Sequence, residues 1–411
     1  MKKILIIGNG AKEYALAKKL SENNEIYITP VSDSLKEFAT CLDIREDSIH
    51  ELLEFAMENG IDITIATSAK AIDSDIASVF NQNKMQIFAP TSKANEIISN
   101  KAIGKKTLYK LRIPTPKFGI FEKLNLAADY IKNQKYPCVI KTNDSNSATI
   151  ITSEKSAKNI LEYIFMEKNK KVLIEDYVYG TPFSFYTLTD GYKALPIGSS
   201  LTYKHSLEGN GGQLSNGMGS CVPNYKLSVE NEYFLMENVI YPTIEYLEMS
   251  GNAYTGILGV NGIITDEGNL IILGWQSFTQ DSDTDAILNN INDDLYHLFE
   301  SCTIGSFSDE TERINLASKQ SVSLVLVCRN KNNKENVIKG VDNLEDDTLI
   351  TFYPSVSKNK YLEWEAQNGS VIVLTSSASS LSKAKEKVYQ EAADIDFSGI
   401  FYRKDICKIN N

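Results

Sequence analysis

The first hundred residues alternate short apolar runs with segments in which apolar side chains recur at helical spacing. The apolar runs predict strands, and the periodic segments predict helices. In chain order, the predicted elements are strand 3–7, helix 11–20, strand 25–29, helix 48–59, and strands 62–66 and 86–88. This β-α-β-α order predicts a mostly parallel sheet with helices on both faces.

The rest of the chain alternates less regularly. A helix is predicted at 99–111, and Pro114-Thr115-Pro116 marks a boundary after it, because proline disfavours helical backbone at the preceding residue. Further strands are predicted at 137–141, 171–177, 255–264, 269–273, 321–328 and 370–375, strand-like segments at 181–200, and helices at 230–248 and 379–393. We therefore expect a fold that combines α/β and α+β parts.

Composition and charge narrow the class of protein. The 411 residues are 42% apolar and 23% charged, the balance of a globular protein of about two to four domains. A net charge of −11 argues against nucleic acid as a partner. No apolar run approaches the roughly 20 residues of a membrane span, and the run after Met1 is too short for a secretory signal. We expect a soluble, cytoplasmic protein.

Cysteine and histidine spacing predicts neither a disulfide framework nor a zinc site. The six cysteines include no CxxC pair, and the three histidines form no HExxH motif. Dispersed thiols of this kind are typical of small buried side chains in a reducing compartment.

The turn Gly8-Asn9-Gly10 joins the first predicted strand to the first predicted helix. Free backbone N–H groups and the positive end of a helix can bind an anion at such a turn. A dinucleotide site fits poorly, since Glu13 stands at the third glycine of GxGxxG and the next strand ends at Thr29 without a ribose-binding acid. Two interpretations stay open: a phosphate or small-anion site, or a tight turn that binds nothing.

A second glycine-rich segment lies at 206–220. Its five glycines would let backbone N–H groups approach a polyanion, although a flexible surface loop has the same composition. Lys204 precedes the segment, Lys141 ends one apolar strand, and Glu175-Asp176 ends another. Each of these is either a nucleotide contact, with a lysine on phosphate and an acid on an amino group or ribose, or an ordinary solvated strand end.

Taken in order, these motifs resemble the phosphoribosylamine–glycine ligase (glycinamide ribonucleotide synthetase) family of ATP-grasp enzymes in purine biosynthesis. The opening IGNGAKEYALAKKL is similar to the family's IGNGGREHALAWKL. The segments YPCVIK, VLIEDYVYG and TYKHSLEGNGGQLSNGMG are similar to later family motifs, and VYQEAADIDFSGIFYRKDI to the C-terminal signature. The resemblance covers nearly the whole chain.

The resemblance implies a doubly wound pre-ATP-grasp domain at 1–98, an ATP-grasp domain at 99–315 with a flexible lobe at about 115–180, and a small α/β domain at 316–411. Family members form an acyl phosphate from glycine and ATP, which phosphoribosylamine then attacks. The ATP-binding positions would be Lys101, Lys141, Glu175, Asp176, Tyr177, Val178 and Lys204. The positions facing phosphate and substrate would be Gly8, Asn9, Gly10, Gly217, Met218 and Gly219.

The sequence departs from the family where its chemistry lies. The family motif IEFNxRFGDPE corresponds to ILGWQSFTQDS, so Leu273 and Trp275 replace two magnesium ligands and Ser277 replaces the arginine expected on the glycine carboxylate. An isobutyl group and an indole offer no oxygen to Mg²⁺, and a hydroxyl cannot replace a bidentate guanidinium. Gln280 and Ser282 also stand where the family has acids. We expect no magnesium site and no efficient glycine ligation by this chain alone.

Other substitutions leave alternatives for the site. The flap at 142–149 lacks glycine, and Thr202-Tyr203 replaces an Asp-His pair. Four acids near the lost ligands could rebuild a metal site: Asp266, Asp281, Asp283 and Asp285. The last three are instead expected to form a solvated acidic turn.

Three interpretations of function remain. The first is a divergent ATP-dependent ligase, with a changed acid substrate. The second is an inactive paralogue that binds a nucleotide or metabolite, and the third is a purely structural protein. The expected partners are a nucleotide and a sugar phosphate, and the sequence does not indicate an oligomeric state.

Overall fold

The computed structural model describes residues 1–143, 148–167, 170–307, 313–329, 336–345 and 347–408. Within them, the strands form one sheet of five strands, one of nine, one of four and two of two. The predicted mixture of α/β and α+β parts is confirmed. No helix in this part of the chain combines the length and the apolar character that a membrane span requires.

The N-terminal sheet is the parallel sheet that the alternation predicts. Its strands are β1 (Lys2–Ile7), β2 (Asn24–Thr29), β3 (Thr40–Cys41), β4 (Ile63–Ala66) and β5 (Ile87–Phe88), in the order β3-β2-β1-β4-β5. The helices between them are α1 (Ala11–Ser21), α2 (Ile49–Glu58), α3 (Ala69–Asp73) and α4 (Ile76–Gln82). Ile4 and Ile6 pack in one apolar cluster while Leu5 and Ile7 pack in another, so both faces of β1 are buried.

Two helices, α5 (Ser92–Ser99) and α6 (Lys101–Lys110), replace the single predicted helix at 99–111. Asn100 separates them with extended backbone, φ −109° and ψ 100°. Its Oδ1 accepts hydrogen bonds from the N–H groups of Ala102 and Ile103, which caps α6. A new helix therefore begins at Lys101, and its first two turns carry Lys101 and Lys105.

A small antiparallel sheet follows the prolines. Its strands are β6 (Phe118–Phe121), β7 (Cys138–Thr142), β8 (Ala148–Ile151) and β9 (Val172–Asp176), in the order β6-β9-β7-β8. The helices α7 (Leu124–Ile131) and α8 (Glu154–Phe165) contribute Ala127 and Leu161 to its apolar core. Residues 144–147 of the flap between β7 and β8 lie outside the described residues.

The remaining strands are β10 (Thr181–Asp190), β11 (Ala194–Thr202), β12 (His205–Leu207), β13 (Gly211–Leu214), β14 (Gly219–Val222), β15 (Thr255–Ile264), β16 (Leu270–Ser277), β17 (Gln320–Cys328), β18 (Leu349–Phe352), β19 (Val356–Lys358), β20 (Trp364–Ala366), β21 (Gly369–Ala378) and β22 (Ile400–Phe401). Strands β12 and β13 form one hairpin, and β19 and β20 form another. The other nine strands form one sheet in the order β16-β15-β10-β11-β14-β17-β21-β18, in which β22 also pairs with β17. The pairing of β14 with β17 makes the C-terminal strands a continuation of the central sheet.

The remaining helices are α9 (Val229–Leu235), α10 (Tyr241–Met249), α11 (Thr284–Asn289), α12 (Leu295–Thr303) and α13 (Leu381–Asp394). A π-helical turn, Met236–Ile240, joins α9 to α10, so the single predicted helix at 230–248 is interrupted. The six cysteines are all free, and five of them are buried, as their dispersed spacing predicts.

Candidate functional site

Two lysines converge on one buried carboxylate, Glu175, near the end of β9. Lys141 Nζ, from β7, lies 2.7 Å from Glu175 Oε2, and Lys105 Nζ, from α6, lies 2.9 Å from Oε1. The contact with Oε1 is an ion pair without the alignment of a hydrogen bond. Lys105 instead donates to Thr115 Oγ1 at 2.7 Å. Because Glu175 is only 1% exposed, this network joins α6 to the small sheet in a place that water barely reaches.

The electrostatics of the network keep it charged. Burial by itself would raise the pKa of Glu175, but the Lys141 and Lys105 ammonium groups outweigh burial and bring this pKa below its ordinary value. Burial lowers the pKa of Lys105 to about 8; the Glu175 carboxylate opposes this change, and the like charge of Lys141 adds to it. At neutral pH the site therefore holds two ammonium groups on a single carboxylate.

Two further lysines extend the positive charge. Burial lowers the pKa of Lys101, and the like charge of Lys141 acts in the same direction. Burial also lowers the pKa of Lys204 to about 8, with Asp283 opposing and with Lys141 and Lys101 adding to the shift. The four ammonium groups outnumber the two carboxylates that interact with them, so this lysine cluster (Lys101, Lys105, Lys141 and Lys204) is suited to an anion with more than one charge.

The sequence motifs do not indicate Lys105. They place an ATP contact at Lys101, whose Nζ hydrogen-bonds the Ile98 carbonyl at 3.3 Å, while Lys105 forms the ion pair with Glu175. The two lysines are four residues apart and thus share one helix face. That spacing was the available signal for Lys105.

In the acidic turn after β16, Asp283 and Asp285 are buried and Asp281 is half-buried, so the prediction of a solvated turn is wrong. Asp285 is 7% exposed and its Oδ2 accepts from Thr351 Oγ1 at 2.7 Å. Asp281 Oδ1 accepts from the backbone N–H of Lys12 at 3.2 Å. Asp266, in contrast, is exposed in the turn between β15 and β16. Asp281 is therefore a hydrogen-bond acceptor for α1, and Asp285 is one for the C-terminal strand β18.

Asp283 lies in a pocket of hydroxyl groups and is fully buried. Its Oδ2 accepts from Tyr186 Oη at 2.7 Å and from Ser200 Oγ at 2.6 Å, and its Oδ1 accepts from the Gln280 N–H at 2.8 Å. Burial raises the pKa of Asp283 to about 6, although these hydrogen bonds and Lys204 oppose it. Asp283 is thus a proton-accepting group next to the lysine cluster.

Asp283→Asn is expected to flatten the pH dependence of stability between pH 3.8 and about 6. In that interval the folded state binds more protons than the unfolded state, so Asp283 favours folding below pH 3.8 and loses that contribution as the pH rises through about 6. The difference is worth about 3 kcal/mol. Urea unfolding of both proteins across this range measures it, with exposed Asp266→Asn as the control. Equal slopes for Asp283→Asn and the unsubstituted chain would contradict the assignment.

Neutral amides lie close to the replaced ligands on β15, β16 and the following loop. Asn261 Nδ2 donates to Gln276 Oε1 at 2.6 Å, and Gln280 Nε2 donates to the same oxygen at 2.9 Å. Ser184 Oγ donates to Asn261 Oδ1 at 2.8 Å. Among the described residues, no group of three or more His, Cys, Asp or Glu side chains could hold a metal ion. Mg²⁺ is usually bound in proteins through one or two carboxylates, with water and phosphate oxygens completing its octahedral shell, so the amides and the hydroxyl found here do not fit it.

The residues at the replaced ligand positions have different surroundings. Trp275 is 5% exposed and packs in an apolar cluster with Ile97 and Leu108, and a Cβ on Gly104 would lie 3.6 Å from its Cδ1. Leu273 and Ser277 are half-buried. The indole is thus part of the packing between β16 and the helices α5 and α6.

The Gly8–Gly10 turn contains a carboxylate of its own. Glu13 is 2% exposed and hydrogen-bonds Thr67 Oγ1. A Cβ on Gly8 would lie 2.6 Å from Glu13 Oε1, and one on Gly10 would lie 2.7 Å from Oε2. The Glu13 carboxylate, paired with Lys12 Nζ at 3.6 Å, fills the space beside both glycines. This arrangement favours the tight-turn interpretation over a phosphate site around Gly8, Asn9 and Gly10.

The predicted phosphate and substrate positions at 217–219 are enclosed by neighbouring strands. Met218 is 4% exposed; its N–H donates to the Tyr203 carbonyl at 2.8 Å and its carbonyl accepts from Val325 N–H at 3.1 Å. The neighbouring glycines leave no room for a side chain, since a Cβ on Gly217 would lie 2.6 Å from Ser282 Oγ and one on Gly219 2.5 Å from the Ser323 carbonyl oxygen. The segment 217–219 is therefore packed against neighbouring strands.

The residues after Glu175 do not join its ion-pair network. Asp176 accepts a hydrogen bond from Gln134 Nε2, and Tyr177 and Val178 are half-buried in the connection from β9 to β10. Their position near the end of β9 is compatible with a nucleotide contact, which stays a prediction.

Comparison with known proteins identifies the family. The chain matches the phosphoribosylglycinamide synthetase N domain at residues 2–97, the ATP-grasp (A) domain at 99–284 and the C domain at 329–409. It is 27% identical to the phosphoribosylamine–glycine ligase of Caldanaerobacter subterraneus subsp. tengcongensis, over 98% of this chain and 99% of the relative. The corresponding protein of Halalkalibacterium halodurans is 26% identical, over 98% and 96%.

Solved structures share the fold. The phosphoribosylamine–glycine ligase of Thermotoga maritima matches with a TM-score of 0.82 at 20% identity, over 98% of this chain and all of the other. The biotin carboxylase domain of 2-oxoglutarate carboxylase from Hydrogenobacter thermophilus, in complex with MgADP, matches with 0.72 at 15% identity, over 97% and 91%. A biotin carboxylase domain of thermophilic 2-oxoglutarate carboxylase, bound to ADP without magnesium and with a disordered phosphate tail, matches with a TM-score of 0.63 at 15% identity, over 97% and 92%. With all three domain types matched in order, the chain belongs to the phosphoribosylamine–glycine ligase family.

Proposed function

We propose that this family member binds an adenine nucleotide at the lysine cluster with little dependence on Mg²⁺ and does not catalyse efficient glycine ligation. The observation that carries the proposal is the convergence of Lys105 and Lys141 on Glu175, at 2.9 and 2.7 Å. Its role would then be that of a nucleotide-binding partner or sensor within purine biosynthesis, the pathway of its family.

The charge balance supports phosphate binding without a metal. A lysine acts on phosphate as a point charge and needs no bridging cation. Lys101, Lys141 and Lys204 each retain some access to solvent, whereas Lys105 and Glu175 lie behind them. The biotin carboxylase domain bound to ADP without magnesium shows that a protein of this fold can hold the nucleotide without the ion, but its phosphate tail is disordered, so fixing the phosphates here would depend on the lysine cluster.

The lost oxygen donors argue against the family's ligation step. In phosphoryl transfer, magnesium ions neutralise the developing charge on phosphate oxygens. Here Trp275 packs in an apolar cluster, and Gln280 donates its amide to Gln276. Ser277 cannot clamp a carboxylate as an arginine would. The changes at Trp275, Ser277 and Gln280 affect phosphoryl transfer and recognition of the acid together, while the lysines proposed to hold phosphate remain.

Isothermal titration calorimetry with ADP and with ATP, in EDTA and then in excess Mg²⁺, tests the proposal. We expect dissociation constants that differ by no more than about threefold between the two conditions. Lys141→Met is expected to weaken binding by about tenfold to a hundredfold, because a charged hydrogen bond to phosphate is lost. Exposed Lys106→Met is the matched control and should bind as the unsubstituted chain does. Binding only with Mg²⁺, or none at all, would overturn the proposal.

A second candidate is a ligase with a changed acid substrate. It is favoured by one observation, the retention of Lys105 and Lys141 around Glu175, because a ligase would also need lysines to hold the phosphates of ATP. ADP release in the presence of panels of carboxylates and amines decides between the two. Release that depends on one carboxylate–amine pair would establish the ligase.

A further inference from the structure

The first half of the glycine-rich segment is a β-hairpin that the C-terminal residues hold in place. Strands β12 and β13 pair through His205 with Leu214 and Leu207 with Gly211. At its base, the carbonyl of Lys204 accepts from the Ser215 N–H at 2.7 Å. The hairpin therefore begins directly after one member of the lysine cluster.

Arg403 is the centre of this attachment. It is 1% exposed and forms a two-pronged ion pair with Asp405, from Nε to Oδ1 at 2.8 Å and from Nη2 to Oδ2 at 2.7 Å. Its Nη1 donates to the His205 carbonyl at 2.9 Å and its Nη2 to Asn210 Oδ1 at 3.3 Å. One guanidinium thus contacts the first strand and the tip of the hairpin, a geometry that the shorter, single-headed lysine cannot reproduce.

Neighbouring C-terminal groups complete the attachment. Asp405 Oδ2 accepts from the Gly209 N–H at 2.9 Å, and the Lys404 N–H donates to Glu208 Oε1 at 3.1 Å. Gly209 has a φ of 63°, so the turn at the tip is a left-handed conformation fixed by this hydrogen bond. Among the described residues, the side chains and N–H groups of 403–405 thus form three hydrogen bonds with the tip of the hairpin, residues 208–210.

We propose that Arg403 is a positioning residue for the anion site: by fixing His205 and the hairpin, it holds the adjacent Lys204 in the lysine cluster. The inference rests on the proposed nucleotide site. It assigns to the C-terminal segment 403–405 a part in phosphate binding, although none of its side chains belongs to the lysine cluster. Loss of Arg403 removes its contacts with His205 and Asn210, although Arg329 Nη2 still donates to the Ser206 carbonyl at 3.0 Å. The loosened hairpin lets Lys204 move away from the phosphate, while the adenosine part of the nucleotide is held as before.

Arg403→Gln tests this with two readouts. Hydrogen–deuterium exchange of residues 205–214 should become about tenfold faster, while exchange in β17 stays unchanged. Calorimetry in EDTA should show ADP binding weakened by about tenfold and adenosine binding unchanged. Arg403→Lys should show the same faster hydrogen–deuterium exchange as Arg403→Gln, because lysine cannot form the two-pronged ion pair with Asp405. Lys404→Gln, whose side chain is exposed, is the matched control and should change neither readout.

The outcomes separate the two proposals. If the unsubstituted chain binds no nucleotide, the nucleotide site fails, and the exchange rates still decide whether Arg403 holds the hairpin. Unchanged exchange at 205–214, or equal weakening of ADP and adenosine, would overturn the positioning role. If Arg403→Gln does not fold, Asn210→Gly removes the contact of Arg403 with the tip from the hairpin side, at a position whose φ of 57° suits glycine, and is read in the same way.

Discussion

Replacing Glu175 with glutamine is expected to destabilise the protein by about 3–5 kcal/mol, since it leaves a buried positive charge without its partner. Lys105 is 2% exposed, and apart from Glu175 its ammonium group contacts only the neutral Thr115 hydroxyl among the described residues. Glutamine has nearly the same shape as glutamate, so the change isolates charge from packing. Urea unfolding at pH 7, followed by far-UV circular dichroism, measures the difference.

The pH dependence of the stability lost in Glu175→Gln tests whether the unpaired charge of Lys105 causes that loss. Glu175 raises the pKa of Lys105, so without it that pKa falls below about 8. As the pH rises above this value, the folded variant releases the proton while an unfolded lysine keeps it until about 10.5. The unfolded state then binds more protons, and the stability of the variant recovers. Lys105→Met/Glu175→Gln should recover part of the loss at pH 7, and a deficit that is constant with pH would contradict the argument.

Much of the fold follows from apolar periodicity, and the errors have a common cause. The strand predicted at 255–264 is β15, and the parallel N-terminal sheet is confirmed. The helices predicted at 99–111 and 230–248 are interrupted by Asn100 and by the π-helical turn. A one-residue change in backbone hydrogen bonding hardly alters the spacing of apolar side chains, so periodicity does not reveal it. The domain boundary at 315 stays a prediction, and β14 and β17 pair across it in one sheet.

The candidate site was predictable only where the chemistry is local. The loss of oxygen donors at Leu273 and Trp275 follows from the residue types alone. The burial of Asp283 does not, because its partners Tyr186 and Ser200 lie 97 and 83 residues away in the chain. A run of acids and hydroxyls has the composition of an exposed turn until distant strands enclose it.

Trp275→Ala is expected to cost about 3–5 kcal/mol, the range for removing a large buried aromatic side chain. Trp275 packs with Ala94, Ile97 and Leu108, so its loss leaves a cavity between β16 and the helix that carries Lys105. Trp364, the other tryptophan, is half-buried on β20 and packs against Phe352 in a tilted arrangement, with 4.8 Å between ring centroids. Trp364→Ala is the matched control and should cost less. Urea unfolding of both variants gives the comparison.

Trp275→Asn tests whether Trp275 matters for packing or for the loss of a magnesium ligand, since it restores the family's amide at this position. The amide would enter an apolar cluster in which even the indole Nε1 has no hydrogen-bond partner among the described residues. We therefore expect a loss of stability at least as large as that of Trp275→Ala, about 3–5 kcal/mol. Leu273 and Gln280 still supply no carboxylate, so the affinity for ADP should remain the same in EDTA and in Mg²⁺. A stable variant with Mg²⁺-dependent ADP binding would instead show that this single indole had displaced the ion.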